Sequence, residues 1–252
     1  MSVLCLAAAL IFQPNAAAAK KKKHKPNPYA VQIITDDSAA PETSPSELKD
    51  ENKYLLYLPP GLETGKKYPL VIALSPAGNA QSILNAWRQV ADKHKWIVFA
   101  SKVFRNNGDM EQMLASVSDS VYMEVCPAGR ADCDKVIATG MSGGAMGSHT
   151  LAFMRPALVS AIVLNTGMMH EYYAGPGVEF PKNKLAVFLA SPTDFRYEAM
   201  EKDREFLENR GWKTEWIEFE GGHIVAPPSV YEQAAQWLEK NMLNSTPKGT
   251  DK

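Results

Sequence analysis

The stretch that most limits how this chain can fold runs from Lys135 to Ser148 and reads Lys-Val-Ile-Ala-Thr-Gly-Met-Ser-Gly-Gly-Ala-Met-Gly-Ser. Lys135 to Thr139 is a short β-branched run, long enough for a buried strand. Gly140-Met141-Ser142-Gly143-Gly144 then fits G-x-S-x-G, a sharp strand-to-helix turn with a serine at its apex. Serine in such a turn sits in strained backbone. Side chains two residues either side of it would collide, so Gly140 and Gly144 are the residue types the turn needs. A helix beginning near Ala145 places the positive end of its dipole under Ser142. Gly and Ser are common in loops, so the five letters acquire meaning only from the strand before them and the helix after.

The flanking chain supplies a matching framework. Tyr54–Leu58 reads as a strand ended by Pro59-Pro60-Gly61, and Leu70–Leu74 as a continuous apolar strand buried on both faces. Ser82 caps a helix to about Lys93, followed by a strand over Trp96–Ala100 and a helix from near Asp109 through Val121. Strands over Leu158–Leu164, Leu185–Ala190 and Thr214–Phe219 follow the turn, interleaved with a helix over Tyr197–Asn209 and closed by one from Pro227-Pro228 to about Met242. Alternation of this kind predicts an α/β fold, a mostly parallel twisted sheet with helices on both faces. No internal repeat is visible, and residues 51–244 are expected to form one domain.

Functional groups in open α/β sheets gather beyond the carboxyl ends of the strands. Ser142, Asp194 and His223 fall at such ends. A serine hydroxyl is a weak nucleophile and needs a base; histidine, titrating near ~6.5, can take and return its proton. Asp194 would hold the imidazole tautomer. His24 lies among lysines, His94 at a helix end, His149 on the helix after the turn where it packs or faces out, and His170 in a long loop within reach of a substrate. His223 alone follows a strand within a Gly-rich turn. Asp203 and Glu198 lie on a charged helix and are read as solvated. An oxyanion needs two backbone N–H donors. Gly143 follows the serine; the second comes from the loop after Leu74, where Pro76 has none, making Ala77 the natural donor and Gly78 the next. Gly78, Met141, Met168 and Tyr172 are candidates for contact with the substrate, although the residues of 168–173 could equally pack the loop down.

Set in this order, Ser142, Asp194 and His223 resemble the α/β-hydrolase superfamily. The segment from Thr193-Asp194-Phe195-Arg196-Tyr197 through Phe219-Glu220-Gly221-Gly222-His223 to Ala234-Ala235-Gln236-Trp237-Leu238 is similar to poly(3-hydroxybutyrate)-depolymerase-like, dienelactone-hydrolase-like and feruloyl-type esterases. The resemblance covers roughly residues 52–242 and implies the α/β-hydrolase fold and a carboxylic-ester hydrolase that needs no cofactor and no metal, acting on a small-molecule or polymeric ester. It departs at Leu74-Ser75-Pro76, where those families usually carry Leu-His-Gly. That departure leaves open a non-catalytic carbohydrate- or lipid-binding protein on the same scaffold, and an acyltransferase would use the same residues.

The ends of the chain bear on location. Val3–Phe12 is apolar and Ala17-Ala18-Ala19 offers an A-x-A site, so residues 1–19 read as a secretory leader too short to anchor in a membrane. Residues 20–50 begin with a basic run and read as a disordered tail, as do 245–252. The expected location is periplasmic or secreted. There Cys126 and Cys133, seven apart, could close a small disulfide loop. A net charge of −1 gives no global attraction to nucleic acid, and no later segment is apolar enough to span a bilayer.

Overall fold

Parallel strands buried on both faces must be covered by helices on both sides, and the chain is arranged in that way. The computed structural model describes residues 44–243, which fall in one compact unit. The expected leader over 1–19, the tail as far as residue 43 and the stretch 245–252 lie outside the described residues.

The strands are β1 (Glu47–Asp50), β2 (Tyr54–Leu58), β3 (Tyr68–Leu74), β4 (Ile97–Ser101), β5 (Ala131–Met141), β6 (Val159–Asn165), β7 (Leu185–Ala190) and β8 (Lys213–Glu218). They form one eight-stranded sheet in the order β1-β2-β4-β3-β5-β6-β7-β8. β1 pairs antiparallel with β2 and β2 with β4; every other neighbour is parallel. The helices are α1 (Ala80–His94), α2 (Met110–Ser120), α3 (Gly143–Met154), α4 (Tyr197–Glu208) and α5 (Pro228–Leu243). Successive side chains of β3 point to opposite faces. Leu70, Ile72 and Leu74 join a core with α2, α3 and α4 residues such as Leu114, Leu151 and Met200. Val71 and Ala73 join a second core with Leu84 and Trp87 of α1 and Tyr231 and Leu238 of α5. No helix among the described residues is long and apolar enough to cross a membrane.

The sequence-based elements hold, with three corrections. Disorder was expected as far as residue 50, but Glu47–Asp50 is the edge strand β1, registered against Leu55–Leu58. All four of its residues are exposed, so it carries no apolar signature. Ser82 is not the cap of α1: Asn79 is, its side chain accepting the Ser82 N–H at 3.0 Å. The helix expected to end at Val121 continues as a π-helical turn over Val121–Val125. That turn leads to Cys126, bridged to Cys133 near the start of β5 with a Cα–Cα distance of 6.0 Å.

Candidate active site

β5 ends at Met141 and α3 starts at Gly143, leaving Ser142 alone at the apex with φ 57° and ψ −117°. This left-handed conformation costs a non-glycine residue of order 1–3 kcal/mol and persists only where the surroundings enforce it. They do so by close approach. A Cβ on Gly144 would lie 2.1 Å from the Leu74 carbonyl oxygen, and one on Gly140 would lie 2.3 Å from the Gly144 backbone. A Cβ on Gly143 would meet the Asn106 side-chain oxygen at 1.8 Å. The first two constraints follow from the turn motif; the third depends on the loop after β4 folding over the turn, with the Asn106 N–H donating to the Pro76 carbonyl at 2.9 Å.

The residues expected beyond the strand ends come together. The Ser142 Oγ lies 2.9 Å from His223 Nε2, and His223 Nδ1 lies 2.6 Å from Asp194 Oδ2. The Asp194 side chain is fully buried, Ser142 is 8% exposed and the His223 side chain keeps about a third of its surface open, 29%. With Nδ1–H donating to Asp194, Nε2 is the acceptor for the serine O–H, which is the tautomer a base requires. Asp194 Oδ1 also accepts the Arg196 backbone N–H at 2.7 Å.

Two residues at the site were missed by sequence reading. Asn165, the last residue of β6, is completely buried. Its side-chain oxygen accepts the Ala226 N–H at 2.8 Å and the Tyr231 hydroxyl at 3.0 Å, while its amide donates to the Ile224 carbonyl at 3.1 Å. Its own carbonyl accepts the Ser142 N–H at 2.9 Å. One residue thus ties the histidine loop to the end of β6 through its side chain and holds the serine turn at the end of β5 through its backbone carbonyl. A lone Asn at a strand end gives no sign of this in sequence. The other residue is Arg196, whose Nη1 donates to the Ser142 Oγ at 3.1 Å.

The loop after β3 is built around Ser75 rather than the usual histidine. The Ser75 Oγ accepts the Ala77 N–H at 3.3 Å and the Asn79 N–H at 3.2 Å. The Gly78 N–H donates to the Ser75 carbonyl at 3.1 Å. Ala77 therefore holds its donor in a long bond, and Gly78 has spent its own. Gly143 opens α3, so its N–H has no partner within the helix.

The expected substrate rim divides. Met141 and Met168 are half-buried, the first next to Ser142 in the chain and the second after Gly167, which abuts the Ser142 backbone. Met169 and Tyr173 pack into the core, so part of the 168–173 stretch holds the loop down. Tyr172 is 59% exposed and stands edge-on to Tyr173, without ring contact or hydrogen bond to the serine, histidine or aspartate. The exposed apolar surface beside the histidine comes instead from Phe195, Ile224 and Val225. The Phe195 and His223 rings lie 4.7 Å apart.

The remaining histidines are placed elsewhere. His94 pairs with Glu232 and Glu239 at the junction of α1 and α5. His170 accepts the Tyr172 N–H at 3.2 Å. His149 is fully buried, with neither ring nitrogen hydrogen-bonded, and desolvation lowers it to about 3. Asp203, expected to be solvated, is mostly buried: it accepts the Met169 N–H at 2.5 Å and lies 4.0 Å from His149. Burial raises its carboxyl to about 6, against the lowering effect of that N–H.

No family model matches this chain, and no curated protein matches it. Solved structures do. A carboxylesterase from Mesorhizobium loti is 17% identical, with 77% of this chain and 98% of that one covered and a TM-score of 0.58. An esterase from Pyrobaculum calidifontis is 13% identical, with 81% and 87% covered and a TM-score of 0.63. An S-formylglutathione hydrolase from Staphylococcus aureus is 14% identical, with 81% and 98% covered and a TM-score of 0.55. At these identities the likeness concerns the fold, and the fold is that of the α/β-hydrolases.

Proposed function

We propose that this chain is a serine hydrolase that cleaves carboxylic esters through an acyl-enzyme. The observation that carries the reading is the unbroken hydrogen-bonded line from Ser142 through His223 to a fully buried Asp194. Ser142 attacks the ester carbonyl while His223 Nε2 takes its proton. Asp194 keeps Nδ1 protonated and stabilises the imidazolium. The developing oxyanion is held by the Gly143 N–H at the start of α3 and by the Ala77 N–H, whose long bond to Ser75 is readily exchanged. His223 then protonates the leaving alcohol, and in the second half-reaction it activates water. Ester rather than amide rests on the resemblance of the segment around Asp194 and His223 and on neighbours of the same fold that are described as esterases. The same reading places the working protein in an oxidising compartment, where the Cys126–Cys133 bridge is retained.

Turnover of p-nitrophenyl acetate tests it. Ser142→Ala and His223→Ala should each lose at least ~10^4-fold in kcat, and the double variant should be no slower than Ser142→Ala, because the residues act as one unit. An unsubstituted protein without turnover on a panel of short-acyl, hydroxycinnamoyl and hydroxyalkanoate esters would contradict it.

A further inference from the structure

Arg196 stands at the nucleophile without a role in the mechanism above. It occupies the turn between β7 and α4, and its Nη1 donates to the Ser142 Oγ at 3.1 Å. Among the described residues no carboxylate pairs with its guanidinium. Its Nε is buried and has no hydrogen-bond partner. A guanidinium carries five N–H donors in a fixed fork. Only one is engaged by another side chain here. The Phe195 ring packs against it with the guanidinium carbon 5.2 Å from the ring centroid, which limits where the fork can swing. A fixed, unpaired cation in a partly buried site attracts a negative charge from whatever binds there.

The sheet order says which part of a substrate that is. The loop that carries Ala77 follows β3, on one side of β5; the turn that carries Arg196 follows β7, on the other side, and from there Arg196 reaches Ser142. A group held by Arg196 is therefore not the oxyanion. We infer that Arg196 is a specificity-determining residue that binds a carboxylate on the substrate, set a few bonds from the scissile ester, so that the preferred substrates are anionic esters such as monoesters of short dicarboxylic acids. The inference rests on the serine-hydrolase reading above. The exposed apolar surface of Phe195, Ile224 and Val225 beside His223 gives the uncharged part of such a substrate a place to lie.

The test compares two esters of equal acyl length, mono(4-nitrophenyl) glutarate and 4-nitrophenyl valerate. The unsubstituted protein should favour the glutarate ester in kcat/KM. In Arg196→Gln the ratio of the two kcat/KM values should fall by about 10- to 100-fold, the scale of a charge-assisted hydrogen bond. Arg196→Lys keeps the charge but not the fork and should recover part of the ratio. No preference in the unsubstituted protein, or an equal loss on both esters in Arg196→Gln, overturns the inference; the second result would make Arg196 a residue that only positions Ser142. Calorimetry of glutarate with the Ser142→Ala protein reads the anion site without turnover. Binding that disappears on adding Arg196→Gln supports the site, and absence of binding overturns it. Failure to hydrolyse any ester would count instead against the hydrolase reading, so the two failures are distinguishable.

Discussion

At the scale of single residues, the placing of Ser142 and His223 depends on groups that take no part in the proposed chemistry. Ser142 is held at positive φ because glycines at 140 and 144 let Leu74 and the first turn of α3 close on it. His223 is held because Asn165 anchors the loop that follows it at Ile224 and Ala226. Replacing Asn165 by Leu removes both anchors and leaves the Ala226 N–H buried without a partner. The expected outcome is a loss of about 2 kcal/mol in stability. A displaced imidazole should also lower kcat by about 100-fold. KM should change little, since Asn165 touches no substrate. Steady-state kinetics and urea denaturation check both, and a variant equal to the original in kcat would remove Asn165 from the account. The residues proposed to bear the reaction are legible because their patterns are scarce: one G-x-S-x-G, one His in a Gly-rich turn and one Asp at the right strand end. Asn165 and Arg196 are not, because nothing in their local sequence reveals that partners 54 to 66 positions away meet them.

Among the elements, the parallel strands could be read from apolar runs, since a strand buried on both faces shows little else. Edge strand β1 could not, because all of its residues face solvent and it is defined by pairing with β2 alone. Between α2 and β5 the chain passes through the π-helical turn, and the Cys126–Cys133 bridge closes the segment after it. A loop this short stabilises modestly by restricting the unfolded chain, by about 2 kcal/mol. Cys126→Ser/Cys133→Ser should lower the unfolding free energy by that amount while sparing kcat, since the bridge lies at the opposite end of β5 from Ser142. Urea midpoints with and without reductant measure it. A double variant as stable as the bridged protein would show that the bridge adds nothing.

For the whole molecule, pH stability has a buried pair at its centre. His149 titrates at about 3 in the fold and near ~6.5 unfolded, so the folded state loses stability as pH falls through that window. Asp203 titrates at about 6 in the fold and near ~3.9 unfolded, so it costs stability as pH rises from about 4 to 6. The two slopes oppose each other where they overlap. His149→Gln should gain on the unsubstituted protein as pH is lowered from 6.5, and Asp203→Asn should gain as pH is raised from 4, each by up to about 1.4 kcal/mol per pH unit. Denaturation midpoints across pH 3–7 check this, and difference curves flat in pH would contradict it.

The central claim is that Ser142 is the nucleophile of an acyl-enzyme, and trapping the covalent adduct tests it most directly. A fluorophosphonate probe should phosphonylate the protein once with loss of fluoride, adding the mass of one probe less HF, and peptide mapping should place the adduct on Ser142. The His223→Ala protein should be labelled at least ~100-fold more slowly, because the serine loses its base. No adduct, or an adduct on another residue with Ser142 unmodified, would contradict the account.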